Sequence, residues 1–180
     1  MAMQNLARMA GINYIIDPKL FTNPNGSPKP EPSLTFQWNC TATEALARVA
    51  KENNLVMATN AFTTVVFITD TNHVANIVDM KLLGNDTNGA IPFIVFDDVP
   101  LNEALKSFIN QAHFKAVLDP QVSGEAAPAP PDYKMVVLPM VSVRWENLTA
   151  QQALAELCEA YGLAIVKDST PDTLLIKPKK

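Results

Sequence analysis

The residues able to do chemistry are few, and their spacing does not assemble a site. His73 and His113 are the only imidazoles. A metal or acid/base centre built on them would need partners at H-x-x-x-H, H-E-x-x-H or C-x-x-C spacing, and none occurs. His113 follows a helical stretch, where a polar side chain caps terminal carbonyls, and His73 lies between the two halves of the chain, so both read as structural or neutral. Cys40 directly precedes a helix-opening threonine, and Cys158 falls on the apolar stripe of a second helix. Both read as small core residues rather than nucleophiles; a disulfide between them would need Cα atoms within about 7 Å. Asp97 and Asp98 are adjacent carboxylates near a strand end, but strand neighbours point to opposite faces and make a poor acid/base pair. Their charge suits a nearby helix N-terminus better. No Ser-His-Asp order, nucleophile elbow or phosphate loop is present, and 6 glycines leave little material for one. The sequence therefore predicts no catalytic residue, no cofactor-binding residue and no metal ligand, hence no enzyme and no cofactor, and it leaves the interaction residues unknown.

The elements that would hold these residues are stated twice. "WNCTATEALARVAKENNL" (38–55) returns as "WENLTAQQALAELCEAYGL" (145–163). Pairing Thr41 with Thr149 sets an offset of 108 that also matches Ala42/Ala150, Ala45/Ala153, Leu46/Leu154, Ala47/Ala155, Leu55/Leu163 and Ile68/Ile176. Each copy opens on a period-two strand, Leu34, Phe36, Trp38 and Val141, Val143, Trp145, whose alternation turns both tryptophans toward a core. A capping box follows in each, Thr41-x-x-Glu44 and Thr149-x-x-Gln152. Helical apolar stripes come next, Ala42, Ala45, Leu46, Val49 and Ala150, Ala153, Leu154, Leu157. Asn54 and Gly162 stand where a left-handed cap should end each helix. A strand pair closes each copy.

The echo extends upstream. "NLARMAGINYIIDP" (5–18) matches "SFINQAHFKAVLDP" (107–120), a helix carrying Met3, Leu6, Ala7, Ala10 or Leu105, Phe108, Ile109, Ala112, then a short strand stopped at Asp-Pro. The second copy is preceded by "IPFIVFDDVP" (91–100), which reads as a buried strand. The first has no such strand, and the chain reads as a fragment cut one strand short. The expected fold is α+β: two tandem βαββαβ modules, residues 1–70 and 91–180, each with two helices on a small mixed sheet. Residues 71–90 are a linker, or a hairpin arm in which 77–83 pairs with 91–96 across "GNDTNG".

A formal charge of −4 argues against a phosphate-neutralising surface. No apolar run reaches the roughly 18–20 residues that cross a bilayer, and the N-terminus lacks the features of a signal peptide. The long loops 19–33 and 121–140 hold Pro24, Pro28, Pro30, Pro32 and Pro128, Pro130, Pro131, Pro139. Proline stiffens such loops at low entropic cost, which suits docking.

The order strand, "VPLNEAL" helix, strand ending "LDP", then "VSVRWENLTAQQALAELCEAYGLAIV" and a final "TLLI" resembles the short N-terminal domain shared by secretins and TonB-dependent receptors. The resemblance covers 91–178 and, without the first strand, 1–69. It implies residence in the periplasm and a non-catalytic protein–protein interaction or assembly role in a bacterial cell envelope. The implied partners are envelope proteins, neighbouring copies in a ring among them, with no nucleic acid and no membrane insertion by this segment. Two departures stand out: the Pro-rich loops are long, and no channel or barrel follows. Two other readings remain open: binding of a small ligand or cell-wall glycan through the Pro-rich loops, and KH-like nucleic-acid binding, which lacks its GXXG loop here.

Overall fold

The computed structural model describes residues 2–23, 27–30, 37–60, 62–71, 89–124 and 138–179. The chain is α+β and divides into two compact units, Met1–Asn76 and Ile77–Lys180.

The first unit runs α1 (Ala2–Met9), β1 (Tyr14–Ile16), a 3-10 turn (Pro18–Phe21), α2 (Ala42–Glu52), β2 (Leu55–Thr59) and β3 (Val66–Asp70). Its three-stranded sheet has the order β1-β3-β2, with β1 parallel and β2 antiparallel to β3. Leu6 and Ala7 of α1 and Ala45, Leu46 and Val49 of α2 share a core with Tyr14, Val66 and Ile68. The helical stripes expected from spacing supply these residues, except that Met3, Ala10 and Ala42 are only half-buried.

The second unit runs β4 (Ile91–Pro100), α3 (Leu101–Gln111), β5 (Ala116–Leu118), a single turn α4 (Pro120–Ser123), β6 (Met140–Leu148), α5 (Ala150–Ala160), β7 (Leu163–Lys167) and β8 (Leu174–Pro178). β5, β8 and β7 repeat the first sheet in order and direction. β4 and β6 form a separate antiparallel ribbon. The described residues of this unit thus form five strands in two sheets, where a single small mixed sheet was expected. The helices α3 and α5 pack on each other, and α3 also meets both strands of the ribbon. Trp145, Phe108, Leu105, Leu154, Leu157 and Ile176 are fully buried, each contributing on the order of 1.5–3 kcal/mol.

The duplication reaches individual hydrogen bonds. Both capping boxes form: Thr41 accepts from the Glu44 N–H and Thr149 from the Gln152 N–H, while Glu44 and Gln152 accept from the backbone N–H groups of Thr41 and Thr149, each at 2.9 Å. Both Asp-Pro steps do more than stop a strand. Asp17 and Asp119 cap the turn that follows, accepting from the backbone of Lys19 and Gln121, each at 2.9 Å. Asn54 and Gly162 take the expected left-handed backbone at φ 56° and 63°.

The expected strand at Leu34–Trp38 falls mostly on residues outside the described ones, and Gln37–Asn39 are not strand. The expected 77–83 hairpin arm also lies outside them. Within the described residues, β4 takes β6 as its partner.

Candidate interaction surface

The run Ile91–Pro100 reads as a buried strand, and the structure corrects this. A two-stranded ribbon offers one face to its unit's core, and β4 spends only Ile94 in full burial. Phe93 is 62% exposed and Val95 58%. Across the ribbon Phe93 faces Glu146 and Val95 faces Arg144, while Ile94 sits opposite the wholly buried Trp145. Met140, opposite Pro100, adds a third apolar side chain at 51% exposure.

Two irregularities shape this surface. Asp97 and Asp98 fall where the register slips by one residue between Phe96 and Val99, with Asp98 at φ 49°. Strand alternation does not hold across such a bulge, so both carboxylates are exposed. Asp98 does not cap α3, whose first turn has no side-chain cap. Its backbone N–H donates to the Ser142 hydroxyl, which donates in turn to its carboxylate, both at 3.0 Å. At the other end Asn147, at φ 56°, lets Trp145 and Leu148 both turn inward although two residues separate them. The result is an exposed apolar strip rimmed by Arg144, Glu146, Asp97 and Asp98. Behind it, the Tyr161 hydroxyl donates to the Met140 carbonyl at 2.8 Å, and burial pushes that phenol up to about 12.

The residues first weighed for chemistry are kept apart by the fold. His113 is exposed at the left-handed position after α3, and its backbone rather than its ring meets Asn110. His73 lies outside the described residues. Cys158 is wholly buried in α5, and desolvation pushes its thiol up to about 12, with nearby Lys179 opposing and Glu159 reinforcing the shift. Cys40 is half-buried against the first core, and both cysteines are free. No group of three or more His, Cys, Asp or Glu side chains able to hold a metal occurs among the described residues. Among the same residues no helix is long and apolar enough to cross a membrane.

The two tryptophans part company. Trp145 is core, as the alternation predicts. Trp38 is half-buried and packs against the first core as expected, with the Arg48 guanidinium over its ring at 5.7 Å from the centroid, a cation–π geometry. Of the Pro-rich loops, Pro28, Pro30 and Pro139 are described. Around Pro28 the chain turns back on itself: Thr22 bridges Pro28, and the Lys29 N–H donates to Phe21 at 2.7 Å.

The exposed strip was missed by sequence reasoning because apolarity alone does not tell a strand covered on one face from one covered on both. The bulge-prone Asp97-Asp98 pair, directly after the apolar run, is the available signal that β4 is an edge strand.

No family model matches the chain, and no curated protein matches it.

Proposed function

We propose that the chain is a non-catalytic protein–protein interaction and assembly module of a bacterial cell-envelope protein, acting in the periplasm. The observation that carries this is the exposed strip of Phe93, Val95 and Met140 with its charged rim. Exposed apolar side chains bordered by charges are the anatomy of an association surface; Phe93 and Val95 stand two residues apart on one face of β4, and Met140 is a separate apolar point near the far end of the ribbon. The duplicated α+β unit supports the reading, because tandem modules multiply weak contacts through linkage. The strip sits on a ribbon whose bulge shortens the edge available for strand pairing, so docking proceeds through side chains of the β4 face. The resemblance of this element order to secretin and TonB-receptor N-terminal domains supplies the envelope setting. It makes neighbouring copies and other envelope proteins the partners.

The test is a photo-crosslinking residue placed at Phe93 in source cells, followed by fractionation, with the exposed α3 position Glu103 as control. A light-dependent adduct from position 93, absent from position 103 and recovered with the envelope, is expected. A chain recovered in the cytoplasm, without an adduct from position 93, would overturn the proposal.

A further inference from the structure

Beside the ribbon, the two units differ at one place where their backbones agree. In the second unit the C-terminal half of α5 and the start of β7 are closed over by the chain itself. The Lys179 backbone N–H donates to the Gly162 carbonyl at 2.8 Å, and its ammonium meets the Glu159 carboxylate at 3.0 Å. Glu159 is nearly buried there, its side chain 6% exposed.

At the offset of 108, Glu159, Gly162 and Lys179 correspond to Lys51, Asn54 and Thr71. Here the first unit has a groove of about 510 Å³. Its walls are Ala47, Ala50 and Lys51 of α2, and Leu55 and Met57 of β2, with Asn54 at the turn and Thr71 where Lys179 stands in the other unit. β2 is the outer strand of its sheet, and no described strand pairs with its far edge. The charge at the mouth is reversed. Lys51 replaces Glu159, and among the described residues no carboxylate forms an ion pair with it.

We infer that the groove between α2 and the outer edge of β2 binds an extended segment of a partner protein that carries a carboxylate side chain for Lys51 and apolar side chains for Leu55 and Met57. The second unit shows the complementary arrangement satisfied from within: a cation on the chain meets an acid on the helix. The first unit carries the cation on the helix instead, and among the described residues no acid pairs with it. An extended segment laid along β2 gains main-chain hydrogen bonds from the strand edge, and every second side chain points under α2. Ala47 and Ala50 keep that wall low enough to admit them. Lys51 also sits in the last turn of α2, where its charge favours the helix dipole. That role leaves its ammonium available at the groove mouth. The inference rests on the reading of the chain as a binding module but on a different surface from the β4 strip, so the two fail separately.

The test uses the full chain and a fluorescein-labelled octapeptide alternating valine with glutamate, against a counterpart alternating valine with lysine. At low ionic strength the glutamate peptide is expected to saturate below about 1 mM, in the weak range for a short segment, and to shift the amide resonances of Leu55–Thr59. Lys51→Glu is expected to weaken it at least about fivefold while the lysine peptide gains, and Lys51→Gln to fall between, as for an exposed ion pair that salt screens. Unchanged amide dispersion elsewhere checks that the variants are folded. No saturation by the glutamate peptide, equal binding of both peptides, indifference to Lys51→Glu, or resonance shifts away from β2 would each overturn the inference. Loss of the crosslink at Phe93 would leave it standing.

Discussion

Gly11 and His113 hold the same left-handed backbone, at φ 64° and 56°, at the same point of two copies of one module. Each follows the first helix of its unit and donates its N–H to the carbonyl three residues back, Arg8 or Asn110, at 3.2 Å. Asn54 and Gly162 form a second such pair, and Thr64 and Asp172, both at φ 58°, a third. The repeat is therefore conserved in backbone conformation at positions where the residue types have diverged. Only glycine takes this conformation without a Cβ penalty.

Replacing His113 by glycine is expected to stabilise the second unit by about 0.5–1 kcal/mol, the relief of the left-handed strain less the added freedom of the unfolded chain. Gly162→Ala is expected to cost about 1 kcal/mol. A Cβ there meets nothing within 4 Å, so conformation is the only obstacle. Urea unfolding followed by circular dichroism checks both. A destabilising His113→Gly would mean that the imidazole makes a contact worth more than the strain.

The two capping boxes differ in one atom type, and that sets a pH dependence. Glu44 titrates below its ordinary 4.5, held down first by the Thr41 backbone N–H and then by the Thr41 hydroxyl, with Arg48 adding a smaller pull. Its folded pKa lies below the unfolded one, so its contribution is complete above about 4.5. The contribution is lost as pH falls through the folded value. Gln152 in the second box does not titrate. Acid is therefore expected to weaken the N-terminal cap of α2 while leaving the Gln152 cap of α5 unaffected. Amide chemical shifts of Thr41 and Thr149 over pH 2–6 report it: Thr41 should move with the Glu44 titration and Thr149 should not. Glu44→Gln should abolish the movement, and parallel titration of both amides would refute the assignment.

What the sequence made legible was local. Capping boxes, helix stripes, Asp-Pro turns and left-handed caps depend on residues within about one turn of each other, and two copies allow each to be checked against its counterpart. What it hid was set by pairing at long range. Trp38 and Trp145 look equivalent, yet they stand one residue closer in sequence than Thr41 and Thr149 do. The extra residue is absorbed at left-handed Asn147, and Trp145 is wholly buried while Trp38 only borders the first core, under Arg48. The bulge at Asp97–Asp98 depends on Ser142, 44 residues away. The open groove at Lys51 emerges only when the two units are compared in space.

Cys158 and Cys40 should separate cleanly in reactivity. The thiolate is the nucleophile, and burial that pushes the Cys158 thiol up to about 12 leaves almost none of it ionised at pH 8. Its side chain is also closed to reagent, at 0% exposure. Cys40 is half-buried at the entrance to α2, where brief opening of the helix end suffices for access. Native iodoacetamide labelling at pH 8 is expected to modify Cys40 alone, with Cys158 following only in denaturant, as read by peptide mass spectrometry. Cys158→Ala is expected to cost about 1 kcal/mol for the small cavity it leaves, whereas Cys158→Asp should unfold the second unit by burying a charge in the same space. Labelling of Cys158 at a rate similar to Cys40 in the folded chain would mean that α5 opens as readily as the end of α2, and would contradict the buried core described for the second unit.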